Sequence, residues 1–145
     1  MRVWIDADAC PRLARDQVVK FALKRGFEVV LVAGQSQIKP SFACVKLIVV
    51  PSGPDAADDY LVEQARNGDL VISADIPLAA RLLANGVEVI TPRGQAMTAA
   101  NIGERLAIRD FLDTLRGSGI QSGGPAAMNQ ADKQQFANAL DRWLV

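Results

Sequence analysis

The chain has 145 residues, of which 50% are hydrophobic, and its 16 basic and 16 acidic side chains give no formal net charge. These values predict one domain spanning residues 1–145 with an ordinary core, and they exclude a general electrostatic attraction to nucleic acid or to an anionic membrane. The sequence shows no apolar run of membrane-spanning length, no room for a secretory signal before Asp6 and too few cysteines for a disulfide scaffold, so we expect a cytoplasmic protein.

Short apolar runs alternate with helical patterns along the chain, except between the second and third runs. This alternation is typical of a parallel α/β fold. The five predicted strands cover residues 3–5, 29–32, 47–50, 70–72 and 87–90. Three helices are predicted to start at prolines, which suit a first helical turn, and to end near glycines. These residues are Pro11, Pro54 and Pro77 at the starts and Gly26, Gly68 and Gly86 at the ends.

Two further helices follow the last predicted strand. One covers about residues 98–116, and the other carries Phe136 and Leu140 near one face. Between them, residues 117–125 read "GSGIQSGGP", a Gly-rich segment that is either a flexible linker or a loop folded over a site. The connection at residues 34–44 is long enough to be either a flap or a plain crossover.

Acidic residues follow two of the predicted strands. Asp6 and Asp8 end the first strand, and Asp75 comes just after the strand at residues 70–72. Ligands of parallel sheets bind beyond the carboxyl ends of the strands, near the point where strand order reverses. If these two strands are neighbours, the three carboxylates meet at one edge of the sheet. Asp58, one turn into a helix and too deep for a simple cap, can add a fourth.

Each of these acids also has an ordinary structural explanation. An aspartate between a strand and a helix, such as Asp8 or Asp75, is commonly an N-cap. Converging carboxylates, however, repel each other and lose solvation, a cost commonly offset by a bound cation or a retained proton.

The sequence contains no histidine, which excludes hydrolysis by a histidine base and the common zinc sites. Oxygen ligands select a hard ion, Mg²⁺ or Mn²⁺. Such an ion polarises a phosphate oxygen and generates hydroxide from water, so it supplies a nucleophile without histidine.

Several long motifs resemble one family. "IDADACP", "DLVISADIPLAARLLANG", "TPRG" and "RDFLDTLRGSGIQSGGP" closely resemble the YaiI/YqxD family, an uncharacterised bacterial family, over nearly the whole chain. That family resembles the PIN/NYN-like nucleases, which implies a three-layer, PIN-like fold with a mainly parallel five-stranded sheet flanked by helices. The resemblance also implies that Asp6, Asp58 and Asp75 hold Mg²⁺ or Mn²⁺ for RNA cleavage.

The chain departs from the NYN pattern at two positions. Pro77 stands where those domains tend to have a further acid, and Ala9 stands where they tend to have asparagine. Asp8 or Asp55 is left to compensate, so the resemblance does not fix the number of metals.

Two polar residues are candidates for substrate binding. Ser73, beside Asp75, is placed to bond a phosphate or a metal-bound water, and the alternative is a turn hydroxyl. Arg93, after the fifth predicted strand, is placed to contact a phosphate, and the alternative is a solvated arginine.

Three functions fit these patterns. The first is a metal-dependent ribonuclease with Asp6, Asp8, Asp58 and Asp75 as catalytic residues. The second is a haloacid-dehalogenase-like phosphatase, since "DADAC" resembles the D-x-D start of those enzymes, with Asp6 as the nucleophile. The third is a non-catalytic RNA-binding or regulatory module. The sequence leaves the oligomeric state open.

Overall fold

A computed structural model describes residues 2–39, 41–51, 53, 55–117 and 128–144 of the chain. Within these ranges the elements are β1 (Arg2–Asp6), α1 (Arg12–Arg25), β2 (Glu28–Ala33), β3 (Val45–Val49), α2 (Ala56–Gln64), β4 (Leu70–Ile72), α3 (Ile76–Ala84), β5 (Glu88–Ile90), β6 (Ala96–Met97), α4 (Ile102–Gly117) and α5 (Gln130–Leu144). None of the described helices combines the length and the apolar character needed to cross a membrane.

The six strands named above form one sheet with the order β3-β2-β1-β4-β5-β6. The first five strands are parallel, and β6 runs antiparallel to β5. The chain moves outward from β1 to β3 and then returns to the other side of β1 to begin β4. Strand order therefore reverses between β1 and β4, which pair with Val3 opposite Leu70 and Ile5 opposite Ile72. The sequence condition that these two strands are neighbours is confirmed.

Helices cover both faces of the sheet, so the predicted three-layer α/β architecture is confirmed. Successive side chains of β1 point to opposite faces. Val3 and Ile5 pack with α1 and α5, where Phe136 is fully buried. Trp4 packs on the other face, in a cluster that includes residues of α2 and α3 such as Leu61 and Leu82.

Within the described residues the sheet has six strands, so the predicted number of five is wrong. The additional strand, β6, has two residues, which are too few to show the alternation that marks a strand in sequence. It forms because a tight turn reverses the chain: the Thr91 N–H donates to the Gln95 carbonyl, and the Gln95 N–H donates to Thr91 Oγ1.

Helix boundaries follow the predictions with two exceptions. Pro11 caps the start of α1, and Gly26 ends it in the left-handed conformation, as expected. By contrast, α2 ends at Gln64, before the predicted end near Gly68, because Asp69 Oδ2 accepts the Arg66 N–H and holds a turn there.

The start of α4 is also later than predicted. A reciprocal pair of hydrogen bonds between Thr98 and Asn101 shapes the turn before Ile102, where the helix begins. Pro54, residues 118–127 and therefore most of the Gly-rich segment at 117–125 lie outside the described residues.

Candidate functional site

Asp6 ends β1 at the point where strand order reverses. Its side chain is buried, with 8% of the residue exposed, and the Ser73 hydroxyl donates to Asp6 Oδ2 at 3.2 Å. Burial raises the pKa of Asp6, the Ser73 hydrogen bond opposes this rise, and the charges of Asp75 and Asp8 add to it. The fold therefore disfavours the ionised form of this carboxyl group.

Ser73 links two of the candidate acids. It follows β4 directly and is 2% exposed. Its hydroxyl oxygen accepts the Asp75 N–H at 3.0 Å while its O–H donates to Asp6. The expected turn hydroxyl is thus present, and the same group also sets the position of the Asp6 carboxylate relative to Asp75.

Asp75 caps helix α3. Its Oδ1 accepts the Leu78 N–H at 3.0 Å, so the N-cap explanation for this residue is confirmed. The same carboxylate raises the pKa of both Asp6 and Asp58, which shows that it also faces the other acids. Asp75 therefore caps α3 and also belongs to the group of acids around Asp6 and Asp58.

Asp58 approaches from the first turn of α2, so it lies nearer the helix start than the predicted position one turn in. Burial, followed by the charges of Asp75, Asp6 and Asp55, raises the pKa of Asp58 to about 6, and Arg81 lowers it in part. Because three elements of the fold contribute these charges, the structure brings Asp6, Asp58 and Asp75 together over the carboxyl edge of the sheet. We call these three residues the carboxylate cluster.

Neighbouring acids have other roles. Asp59, the next residue of α2, forms an ion pair with Arg81 at 2.9 Å and is directed to solvent. Asp8 accepts the Gly34 N–H through Oδ2 at 2.6 Å, which ties the loop after β1 to the loop after β2. Asp8, Gly34 and Gln35 also line an open groove of about 530 Å³. Asp8 thus borders the cluster and faces this groove.

The donor set determines which metal the cluster suits. Within the ranges the structure describes, no three Asp, Glu or Cys side chains are arranged to share one ion. Mg²⁺ keeps several of its waters in proteins and is commonly held by one or two carboxylates. The carboxylate oxygens of the cluster therefore fit a hydrated hard cation with at most two direct ligands, and they do not form an all-protein cage.

Arg93 is held by an ion pair. Its Nη1 lies 2.5 Å from Asp132 Oδ2 near the start of α5, and the Arg93 side chain is 34% exposed. Arg93 is therefore not the freely solvated arginine given as the alternative, while its contact with a phosphate stays a prediction. The ion pair attaches the "TPRG" loop to the C-terminal helix.

Sequence patterns did not identify two residues that shape the site and its surroundings. Arg81 acts on Asp58 because α3 packs beside α2, a contact that helical periodicity alone does not give. Asp69 lies at the opposite end of the sheet, where it accepts the N–H groups of Arg2 and Arg66 and the indole N–H of Trp4. Its position just before a strand is the available signal that it is structural.

Comparison with known proteins gives a consistent set of relatives. Residues 4–145 match the model of the YaiI/YqxD family, which is described as uncharacterised. A UPF0178 protein of Pseudomonas fluorescens strain SBW25 is 69% identical, and a UPF0178 protein of Stutzerimonas stutzeri strain A1501 is 67% identical. Both alignments span 100% of this chain and 96% of the relative. The family resemblance drawn from the motifs is confirmed.

Proposed function

Because the chain belongs to the YaiI/YqxD family, whose description states no activity, we propose a function from the site itself: a Mg²⁺- or Mn²⁺-dependent phosphodiesterase that cleaves RNA. The observation that carries the proposal is the convergence of Asp6, Asp58 and Asp75 where strand order reverses, with burial and then mutual repulsion raising the pKa of Asp6 and Asp58. The resemblance to PIN/NYN-like nucleases supports it, since that resemblance assigns a cation to the same residues.

The chain's own residues would share the work as follows. Asp6, Asp58 and Asp75 would hold the ion. A bound ion of this kind polarises a phosphate oxygen and lowers the pKa of water. Ser73 fixes the Asp6 carboxylate, and Asp8, oriented by the Gly34 N–H, accepts a proton at the wall of its groove.

A non-catalytic RNA-binding or regulatory module is the second candidate. Two observations favour it: Asp75 has a complete structural role as the cap of α3, and Asp8 is satisfied by the Gly34 N–H. No observation favours the phosphatase alternative, because no described lysine is among the charges that act on Asp6.

Metal binding and RNA cleavage test the proposal together. We expect calorimetry to detect Mn²⁺ or Mg²⁺ binding at millimolar metal and a labelled single-stranded RNA to be cleaved only when metal is present. Asp6→Asn and Asp58→Asn should each lower cleavage by about 100-fold or more. Asp59→Asn is the matched control, since Asp59 is adjacent in sequence but paired with Arg81, and its activity should stay within about twofold.

The outcomes separate the two candidates. Absence of divalent-ion binding at millimolar metal overturns the nuclease. RNA binding that survives Asp6→Asn, in a protein that shows no metal-dependent cleavage, supports the non-catalytic module.

A further inference from the structure

We propose that a groove beside the carboxylate cluster binds an unpaired nucleoside and its phosphate, so that the protein selects single-stranded over duplex RNA. This inference rests on the proposed function and adds the subsite that holds the substrate. The groove has a volume of about 580 Å³ and combines three arginines with apolar side chains. Its defining residues are Arg12, Arg93, Arg105, Leu13, Ile76 and Met97, and we call it the arginine groove.

The arginine groove is lined by direct sequence neighbours of two of the acids. Its wall includes Ala9, which follows Asp8, and Ala74, which precedes Asp75. A ligand in this groove therefore contacts residues that are bonded in the chain to two candidate catalytic acids, Asp8 and Asp75. The loop after β1 also supplies Asp8 to the groove that contains Gly34, so residues of this one loop line both grooves.

Charge selects an anionic occupant for the arginine groove. Arg12 and Arg105 form no ion pair with any residue in the described ranges, and Arg93 is already paired with Asp132. A phosphodiester that approaches the carboxylate cluster meets repulsion from it, so nearby cations are needed to hold the backbone. The whole chain has no net charge, so it does not attract RNA in general. The attraction of a phosphodiester would instead come locally from Arg12 and Arg105.

Shape and polarity select a nucleoside rather than an inorganic anion. The groove floor exposes apolar side chains, among them Leu13, which is 42% exposed. Its volume lies in the range of roughly 300–1,000 Å³ that is common for small-molecule sites. A base can lie on this floor or stack on a guanidinium plane only if it is not paired within a helix.

Binding can be measured without catalysis. We would titrate the protein into a fluorescein-labelled 12-nucleotide RNA in EDTA buffer and follow anisotropy for the wild type and for Arg12→Gln/Arg105→Gln. The double variant should weaken binding by about 10-fold or more and reduce the slope of log K against log salt by about 1.4, the value for two lost phosphate contacts with a single strand. Lys20→Gln/Lys24→Gln is the matched control, because it removes the same charge from the part of α1 that faces a different groove, and its binding should change less than twofold.

A second variant tests the floor of the groove. Leu13→Glu places a negative charge among the apolar residues and should weaken RNA binding as much as the loss of the arginines. Arg12 and Leu13 are exposed on α1, and Arg105 is half-buried on α4, so melting temperatures close to that of the wild type are expected. Either variant alone can decide the question. A duplex of the same sequence should bind at least about 10-fold more weakly than the single strand.

Several results would overturn the arginine groove. These are unchanged binding in both variants, an equal loss in the lysine control, or duplex binding as tight as that of the single strand. The proposed function fails separately: metal-dependent cleavage with arginine-independent binding removes only the groove, whereas arginine-dependent binding without metal-dependent cleavage removes only the nuclease.

Discussion

At the scale of single residues, Asp58 shows how the fold acts on one carboxyl group. Burial and the nearby charges of Asp75 and Asp6 raise its pKa from 3.8 to about 6. The unfolded chain releases this proton at lower pH than the folded chain does. The free energy of unfolding therefore decreases as pH rises from about 4 to about 6, and the penalty is complete above that window.

Replacing Asp58 with asparagine should remove this penalty. In metal-free buffer at about pH 7.5 we expect a gain of about 1 kcal/mol, less than the ~3 kcal/mol of two pKa units, because the half-exposed carboxylate is screened by solvent. The gain should be smaller at about pH 4.5. Thermal unfolding in EDTA at the two pH values measures it, with Asp59→Asn as the control. A loss of stability at pH 7.5 would contradict the repulsion between these acids.

Ser73 is the second residue whose contacts lead to a prediction. Ser73→Ala should lower the free energy of unfolding by about 1–2 kcal/mol, because the buried Asp6 carboxylate and the Asp75 N–H each lose a partner. Urea unfolding measures the change, and Ser36→Ala, at an exposed loop position, should stay within about 0.5 kcal/mol of the wild type. Equal effects of the two substitutions would mean that the Ser73 hydroxyl does not hold the site together.

At the scale of elements, helix α3 allows capping and metal binding to be separated at Asp75. Asparagine is as good an N-cap as aspartate, whereas alanine loses the bond to the Leu78 N–H. We expect Asp75→Ala to be about 1 kcal/mol less stable than Asp75→Asn in EDTA, while both weaken Mn²⁺ binding. Chemical unfolding and calorimetry on the same pair measure the two effects. If Asp75→Asn retains wild-type metal affinity, Asp75 acts only as a cap.

The sequence predicts most elements because each leaves a local signal. The apolar run at 70–72 coincides with β4, and Pro11 and Gly26 mark the ends of α1. Elements without such a signal were missed or displaced. The two residues of β6 are too few to alternate, and α2 ends early because of a side-chain bond from Asp69, which no periodicity records.

At the scale of the whole molecule, the acidic site was predictable from topology and its surroundings were not. Asp6 and Asp75 meet because β1 and β4 are parallel neighbours that end at the same edge of the sheet, where strand order reverses. The alternation of strands and helices in the sequence was enough to predict this arrangement. Arg81, Arg12 and Arg105 take their positions from how separate helices pack on the sheet. That packing depends on the shapes of many side chains, so spacing along the chain does not reveal it.

The C-terminal helix depends on a glycine that is distant in sequence. Gly94, in "TPRG", has a φ of 86°, and a Cβ added there would lie 2.5 Å from the backbone carbonyl of Gln135 in α5. Because helix backbone cannot yield, Gly94→Ala should displace α5, whose Phe136 is buried in the core, and lower the free energy of unfolding by about 2–4 kcal/mol.

Gly103 provides the opposite case within the same chain. It lies in the first turn of α4, and an added Cβ would meet nothing within 4 Å, so Gly103→Ala should raise stability by up to about 1 kcal/mol through helix propensity. Urea unfolding of both variants measures the contrast. If the two substitutions shift stability in the same direction, α5 does not rest on the Gly94 turn. Opposite shifts would show that the left-handed turn at Gly94, which lies against α5, has no room for a side chain, whereas the first turn of α4 does.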